Sequence, residues 1–102
     1  WSIGKGFDHS APIGPITPAA QAGDVGKAGI WLQVNGVDRQ RSNVAQLIWN
    51  IAETIEHLSA AWELQPGDLI YTGTPEGVGA VVTGDMLEGG VDGLGSIRLK
   101  LV

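Results

Sequence analysis

Apolar positions in the middle of the chain fall at helical spacing. Val44, Leu47, Ile48, Ile51, Ile55 and Leu58 recur every three or four residues and would share one face of a helix. Asn43 suits the cap at its start, with Gln46 three residues on to complete a capping box, and Pro66 marks its latest end. Asn50 leaves two forms open: one continuous helix, or a short turn followed by a helix. Near the C-terminus the period is two. Ser96-Ile97-Arg98-Leu99-Lys100-Leu101-Val102 alternates, which predicts a half-buried strand with Arg98 and Lys100 facing water. Ile30 to Val34 and Val37 to Gln40 read as two strands joined at Asn35-Gly36, a pair suited to a type I′ hairpin, where both central residues need positive φ. Pro66-Gly67 fits a type II turn, and Leu69-Ile70-Tyr71 after it reads as a buried strand.

Residues 1–29 show no period. Pro12, Pro15 and Pro18 fix φ and remove backbone donors, so this stretch is predicted to be irregular. Glycine supplies 16 of the 102 residues, without periodicity, and clusters between short apolar runs as turns do in β-rich chains. The sum is an α+β, β-rich architecture with one main helix packed on a sheet.

Composition narrows the function. One domain fits the length. A formal net charge of −5 with only six scattered Lys and Arg argues against nucleic acid, which requires a basic surface. No apolar run approaches the roughly 20 residues of a membrane span. The absence of cysteine excludes disulfide scaffolds, cysteine-ligated zinc and thiol nucleophiles. Trp1, Trp31, Trp49 and Trp62 lack basic neighbours and read as core or interface residues.

Candidate chemistry concentrates in two places. The loop Thr72-Gly73-Thr74-Pro75-Glu76-Gly77-Val78-Gly79 follows an apolar run, and its backbone amides and hydroxyls could cradle an anion; the alternative is a plain turn. It lacks the Gly-Lys-Ser/Thr of a phosphate-binding loop. Lys5, between Gly4 and Gly6, is either a solvated surface lysine or a neutraliser of a carboxylate or oxyanion. Asp8-His9-Ser10 cannot form a triad, because consecutive side chains diverge. His57, four residues after Glu53, fits a helix-surface pair. Aspartates 8, 24, 38, 68, 85 and 92 stand at turns or strand starts, where they cap backbone amides.

Read together, Lys5-Gly6-Phe7-Asp8, Ala11-Pro12-Ile13-Gly14-Pro15, Val34-Asn35-Gly36 with Arg39-Gln40, Leu58-Ser59 and the block from Leu64 to Gly79 are more specific than any one of them. In this order they resemble the fumarylacetoacetate hydrolase family, in its small bacterial acylpyruvate and fumarylpyruvate hydrolase branch. The resemblance implies a mixed β-sheet roll with one main helix, usually a cytoplasmic homodimer acting on small keto acids. It implies Mg2+ or Mn2+ held by carboxylates, with hydrolysis of a carbon–carbon bond in a β-diketo acid from aromatic catabolism. There a divalent cation and a lysine stabilise the departing enolate. Lys5 maps onto the family's charge-balancing, substrate-holding lysine, and Thr74 onto a substrate-contacting threonine. His9 stands where some members carry a metal-proximal threonine, and Glu88 is a tentative counterpart of a catalytic acid in the animal enzyme.

The family's Glu-x-Glu pair and further Asp precede the lysine stretch, so the metal ligands are expected upstream of Trp1 and none within this chain. Residues 1–102 are accordingly expected to be the C-terminal portion of a single catalytic domain, associating as a homodimer or with the missing N-terminal part. Oxaloacetate decarboxylation and diacid isomerisation share the same enolate chemistry. An inactive pairing module is the alternative if the chain exists only in this form.

Overall fold

The structure, a computed structural model, describes residues 2–102; Trp1 lies outside them. Four strands, β1 (Gly29–Val34), β2 (Val37–Asn43), β3 (Met86–Val91) and β4 (Gly95–Lys100), form a sheet in the order β2-β1-β3-β4, and every pairing is antiparallel. The β1–β2 hairpin turns at Asn35-Gly36 with φ of 52° and 80°, as predicted. Asn35 does more than turn. Its Nδ2 donates to Asp85 Oδ1 at 2.9 Å, and its Oδ1 accepts from the Met86 amide at 2.9 Å. One residue thus locks the hairpin tip to the start of β3.

Strand β3 carries no alternating signal, because Gly89 and Gly90 interrupt it. The sheet explains the second glycine: a methyl at Gly90 would meet the Trp31 ring at 3.0 Å, across the Trp31–Gly90 pair. Strand β4 keeps the predicted alternation, with Ile97 and Leu99 half-buried and Arg98 and Lys100 outward. Leu32, Val34, Leu87, Ile97 and Leu99 share one face by register. Val34, 4% exposed, is the buried hydrophobic among the described residues.

The helix starts later than the apolar stripe suggests, in the second of the two forms left open. Asn43 caps a 3-10 turn, Val44–Gln46, its Oδ1 accepting from the Ala45 amide at 2.8 Å while its Nδ2 donates to Lys27 O at 2.8 Å. Leu47 then turns extended. A full capping box at Asn50 starts the helix Ile51–Ala61: Asn50 Oδ1 accepts from the Glu53 amide at 2.8 Å, and Glu53 Oε1 accepts from the Asn50 amide at 3.0 Å. Among the described residues this helix makes no extensive contact with the sheet. Its Ile51 and Ile55 border an apolar cleft of about 450 Å³ with Val25, Val44 and Leu47, and Ile48 is left 97% exposed. Glu53 is committed to the cap, and His57 instead stacks on Trp49 with ring centroids 3.9 Å apart.

Two further expectations change. Leu69-Ile70-Tyr71 is neither buried nor a strand, because among the described residues no strand runs beside it to supply a ladder. Residues 2–28 are irregular except for single helical turns at Ser2–Lys5, Ala19–Ala22 and, as 3-10 helix, Val25–Lys27. The Pro66-Gly67 turn forms as predicted, with Gly67 at φ 95° and the Asp68 amide donating to Gln65 O at 3.1 Å.

The accessible surface is 8080 Å², against roughly 5,500 Å² for a folded monomer of this mass. The radius of gyration is 14.7 Å, against about 13 Å for a compact domain of this length. Phe7, Ile16, Trp62 and Val78 remain exposed, so much apolar surface stays uncovered. No described helix is long and apolar enough to cross a membrane.

Candidate functional site

The glycine-rich loop lies against β2. Strand β2 bulges there: Leu32 faces Gln40 and Gln33 faces Asp38, leaving Arg39 as the extra residue. The bulge returns the Gln40 side chain to the Leu32–Val34–Leu87 face, where it meets the loop. Gln40 Nε2 donates to Thr74 Oγ1 at 2.7 Å and to Pro75 O at 2.8 Å. Gly77, at φ 102°, lets the chain descend onto the bulge, since any Cβ there would overlap the Arg39 carbonyl oxygen. Between loop and sheet lies a cavity of about 240 Å³, bordered by Arg39, Gln40, Thr74, Val78, Val34 and Leu87. It is large enough for an acid of a few carbons and combines a guanidinium, a hydroxyl and an apolar floor. The larger cleft beside the helix has only Asn50 as a polar side chain, and Asn50 is committed to the cap.

Lys5 closes the first helical turn on the surface. Its segment is tied to the loop's approach by Tyr71, whose hydroxyl donates to Ala11 O at 3.1 Å. The proline-rich stretch then passes over β4, where a methyl at Gly14 would stand 3.8 Å from Ile97 Cβ. Lys5 and Thr74 therefore belong to two segments pinned together at Tyr71. His9 is exposed at a turn, at φ 61°, closed by the Ser10 amide donating to Phe7 O at 3.1 Å.

Glu88 is placed elsewhere. It alternates with Leu87 and so faces the opposite side of the sheet from Gln40 and the cavity. There it accepts from Arg98 Nη2 at 3.0 Å and from Ser96 Oγ at 3.3 Å. The Arg98 hydrogen bond holds its carboxyl below the ordinary carboxylate value. Asp85 is lowered by the Val82 amide and by Asn35, and Asp38 by Arg41 and Gln33. With Asp68 accepting from the Gln65 amide at 2.8 Å, the turn aspartates serve as caps and clamps. Among the described residues no group of three His, Asp or Glu side chains could hold a metal ion. The described residues do not by themselves make up a divalent-metal site.

Sequence reasoning missed two participants. Arg39 and Gln40 appear in the motif only as part of a matching stretch, and the bulge that turns Gln40 toward Thr74 has no sequence signal. The apolar alternation that stops after Val37 is the one hint that β2 carries polar side chains toward a neighbour.

A fumarylpyruvate hydrolase of Ralstonia sp. is 50% identical over 101 residues, covering 99% of this chain and 52% of its own length. An oxaloacetate tautomerase of Rattus norvegicus is 40% identical over 101 residues, covering 99% of this chain and 46% of its own. The crystal structure of fumarylpyruvate hydrolase from Pseudomonas aeruginosa in complex with Mn2+ and pyruvate superposes with a TM-score of 0.96 at 58% identity, over 100% of this chain and 44% of that one. The chain thus spans about half the length of the relatives it matches. Their likeness bears out the α+β class with one main helix. The family described as fumarylacetoacetate (FAA) hydrolase C-terminal matches residues 1–102, and the chain belongs to the fumarylacetoacetate hydrolase family.

Proposed function

We propose that the protein carrying this chain hydrolyses the carbon–carbon bond of an acylpyruvate, fumarylpyruvate first, releasing pyruvate. Water adds to the acyl carbonyl, the bond to the methylene carbon breaks, and the electron pair leaves as the enolate of pyruvate, which takes a proton. The observation that carries this reading is the likeness over the whole chain to a hydrolase of that name holding Mn2+ and pyruvate. The cavity beside Thr74 supports it, offering a hydroxyl and the Arg39 cation to a small acid. Thr74 holds the keto-acid end, and Lys5 supplies positive field to the developing enolate. His9, exposed at its turn, is a further candidate for the site, whereas Glu88, bound to Arg98 across the sheet from the cavity, takes no place in it.

The protein uses Mg2+ or Mn2+, held by carboxylates upstream of Trp1, so residues 1–102 are the C-terminal portion of one catalytic domain in a cytoplasmic enzyme of aromatic catabolism. The excess exposed area supports association, as a homodimer and with the preceding half. A second reading, oxaloacetate chemistry by the same enolate, is favoured by the tautomerase relative. The test is to assay the full-length protein on fumarylpyruvate and on oxaloacetate, with Mg2+, Mn2+ or chelator, following pyruvate and fumarate release. Metal-dependent production of both from fumarylpyruvate is expected, with none from residues 1–102 alone. Faster turnover of oxaloacetate would favour the second reading; turnover by the 102 residues would overturn the upstream-ligand reading. Lys5→Met is expected to cut kcat/KM at least hundredfold.

A further inference from the structure

We infer that Gln40 is a positioning residue that fixes the direction of the Thr74 hydroxyl proton, aiming it into the cavity as a donor to an anionic oxygen of a 2-keto acid. The inference rests on the substrate role proposed for Thr74 and adds how that role is enforced.

The orientation of the Gln40 amide follows from its partners. Pro75 O, at 2.8 Å, is a carbonyl and can only accept, so the Gln40 atom facing it is the nitrogen. That nitrogen has protons and no lone pair to offer, so its 2.7 Å contact with Thr74 Oγ1 is a donation too. The Thr74 oxygen therefore accepts on the Gln40 side, and its own proton must leave in another direction. The nearby backbone acceptor, Pro75 O, is 3.5 Å away and already occupied by Gln40. That separation exceeds the 2.5–3.0 Å range of O–H···O bonds. Thr74 is exposed and borders the cavity with Arg39, so that proton is free to enter it.

A hydroxyl donor beside a guanidinium selects an acceptor with negative charge, a carboxylate or an enolate oxygen. An acceptor in place of the Gln40 amide would turn the hydroxyl around and present its lone pairs to the ligand. The bulge at Arg39 and the bare backbone of Gly77 keep the loop close enough for this geometry.

The test uses the full-length protein with Mn2+ and pyruvate as the probe, binding being read by calorimetry and by competitive inhibition. Thr74→Val removes the hydroxyl. Gln40→Glu replaces the donor by an acceptor, and Gln40→Met removes the donor at similar volume. Thr74→Val and Gln40→Glu are each expected to weaken pyruvate roughly tenfold to hundredfold, the loss of one hydrogen bond to a charged group. Gln40→Met should lose less. The Gln40→Glu, Thr74→Val double variant should bind no more weakly than Thr74→Val alone, because the two residues act through one proton. Should Gln40→Glu fail to fold, Gln40→Met in the parent and in the Thr74→Val background carries the same cycle.

Losses that multiply in the double variant, or parent-like binding by both Gln40 variants while Thr74→Val binds weakly, would overturn the positioning role and leave the substrate role of Thr74 standing. Parent-like binding by Thr74→Val itself would sink both.

Discussion

The sheet and the Thr72–Gly79 loop are held by different means. The sheet is held by backbone hydrogen bonds across three ladders, pinned at one end by Asn35 and Asp85 and laced on its outer face by Glu88–Arg98 and Asp38–Arg41. The loop has no ladder. It is held to the sheet by two hydrogen bonds from one glutamine and a glycine that could carry no side chain, and to the N-terminal segment by the Tyr71–Ala11 tie at its base. Stability and chemistry are therefore separable here: the sheet sets where the loop sits, and the loop's few contacts set what it presents. The outer-face ion pairs add little to either, since exposed pairs are screened by water.

The sharpest way to break this division is Gly77→Ala. The substitution combines a positive φ with overlap on Arg39 O, so the loop must lift off the bulge. We expect a stability loss of about 3 kcal/mol and roughly a hundredfold fall in kcat/KM from misplacement of Thr74. Equal folding stability and unchanged kinetics would show the loop to be tolerant of displacement. Leu99→Ala tests the other half. Truncating this half-buried β4 side chain, which does not border the cavity, should cost about 2 kcal/mol, seen as a lower urea midpoint, with KM for substrate unchanged. A KM change there would mean that the sheet transmits more to the site than support.

Smaller effects follow at the helix and the outer face. Asn50→Ala removes a capping box that does not border the cavity, at a cost of about 1 kcal/mol, and should leave pyruvate affinity alone. The least is expected from acid. Glu88, Asp85 and Asp38 all have carboxyls lowered in the folded state. Their contribution is complete above the unfolded carboxylate values near pH 4 and is lost as pH falls through the lower folded values. Melting temperature should be flat between pH 5 and 7 as far as these groups decide, then fall below about pH 4, and Glu88→Gln should blunt that fall slightly. A midpoint near neutral pH would point to a group outside this set.

What was legible depended on how local the signal is. The Asn35-Gly36 hairpin, the Pro66-Gly67 turn and the alternating last strand each rest on φ preferences or on one strand's own pattern, and each formed as read. The apolar stripe from Val44 to Leu58 misled, because periodicity cannot say which asparagine wins: Asn43 is used to cap a 3-10 turn and tie to Lys27 O, and Asn50 with Glu53 starts the helix. Leu69 to Tyr71 misled for a related reason, since a strand exists only where a neighbour supplies its ladder. Thr74 was legible as a candidate from the Thr-Gly-Thr-Pro motif. Gln40 was not, because its role depends on a register shift between two strands and a loop 34 residues away.

The amino-acid order by itself determined the family, the turns, the strand at the C-terminus and the identity of the polar groups available for chemistry. These depend on side-chain type and on interactions within a few residues. Only the tertiary structure decided that the Gln40 amide would meet the Thr74 hydroxyl, that Arg39 would border the same cavity, and that Glu88 would lie across the sheet from both. Those placements arise from a bulge and from strand register, which are settled by the packing of segments distant in sequence and so leave no local mark.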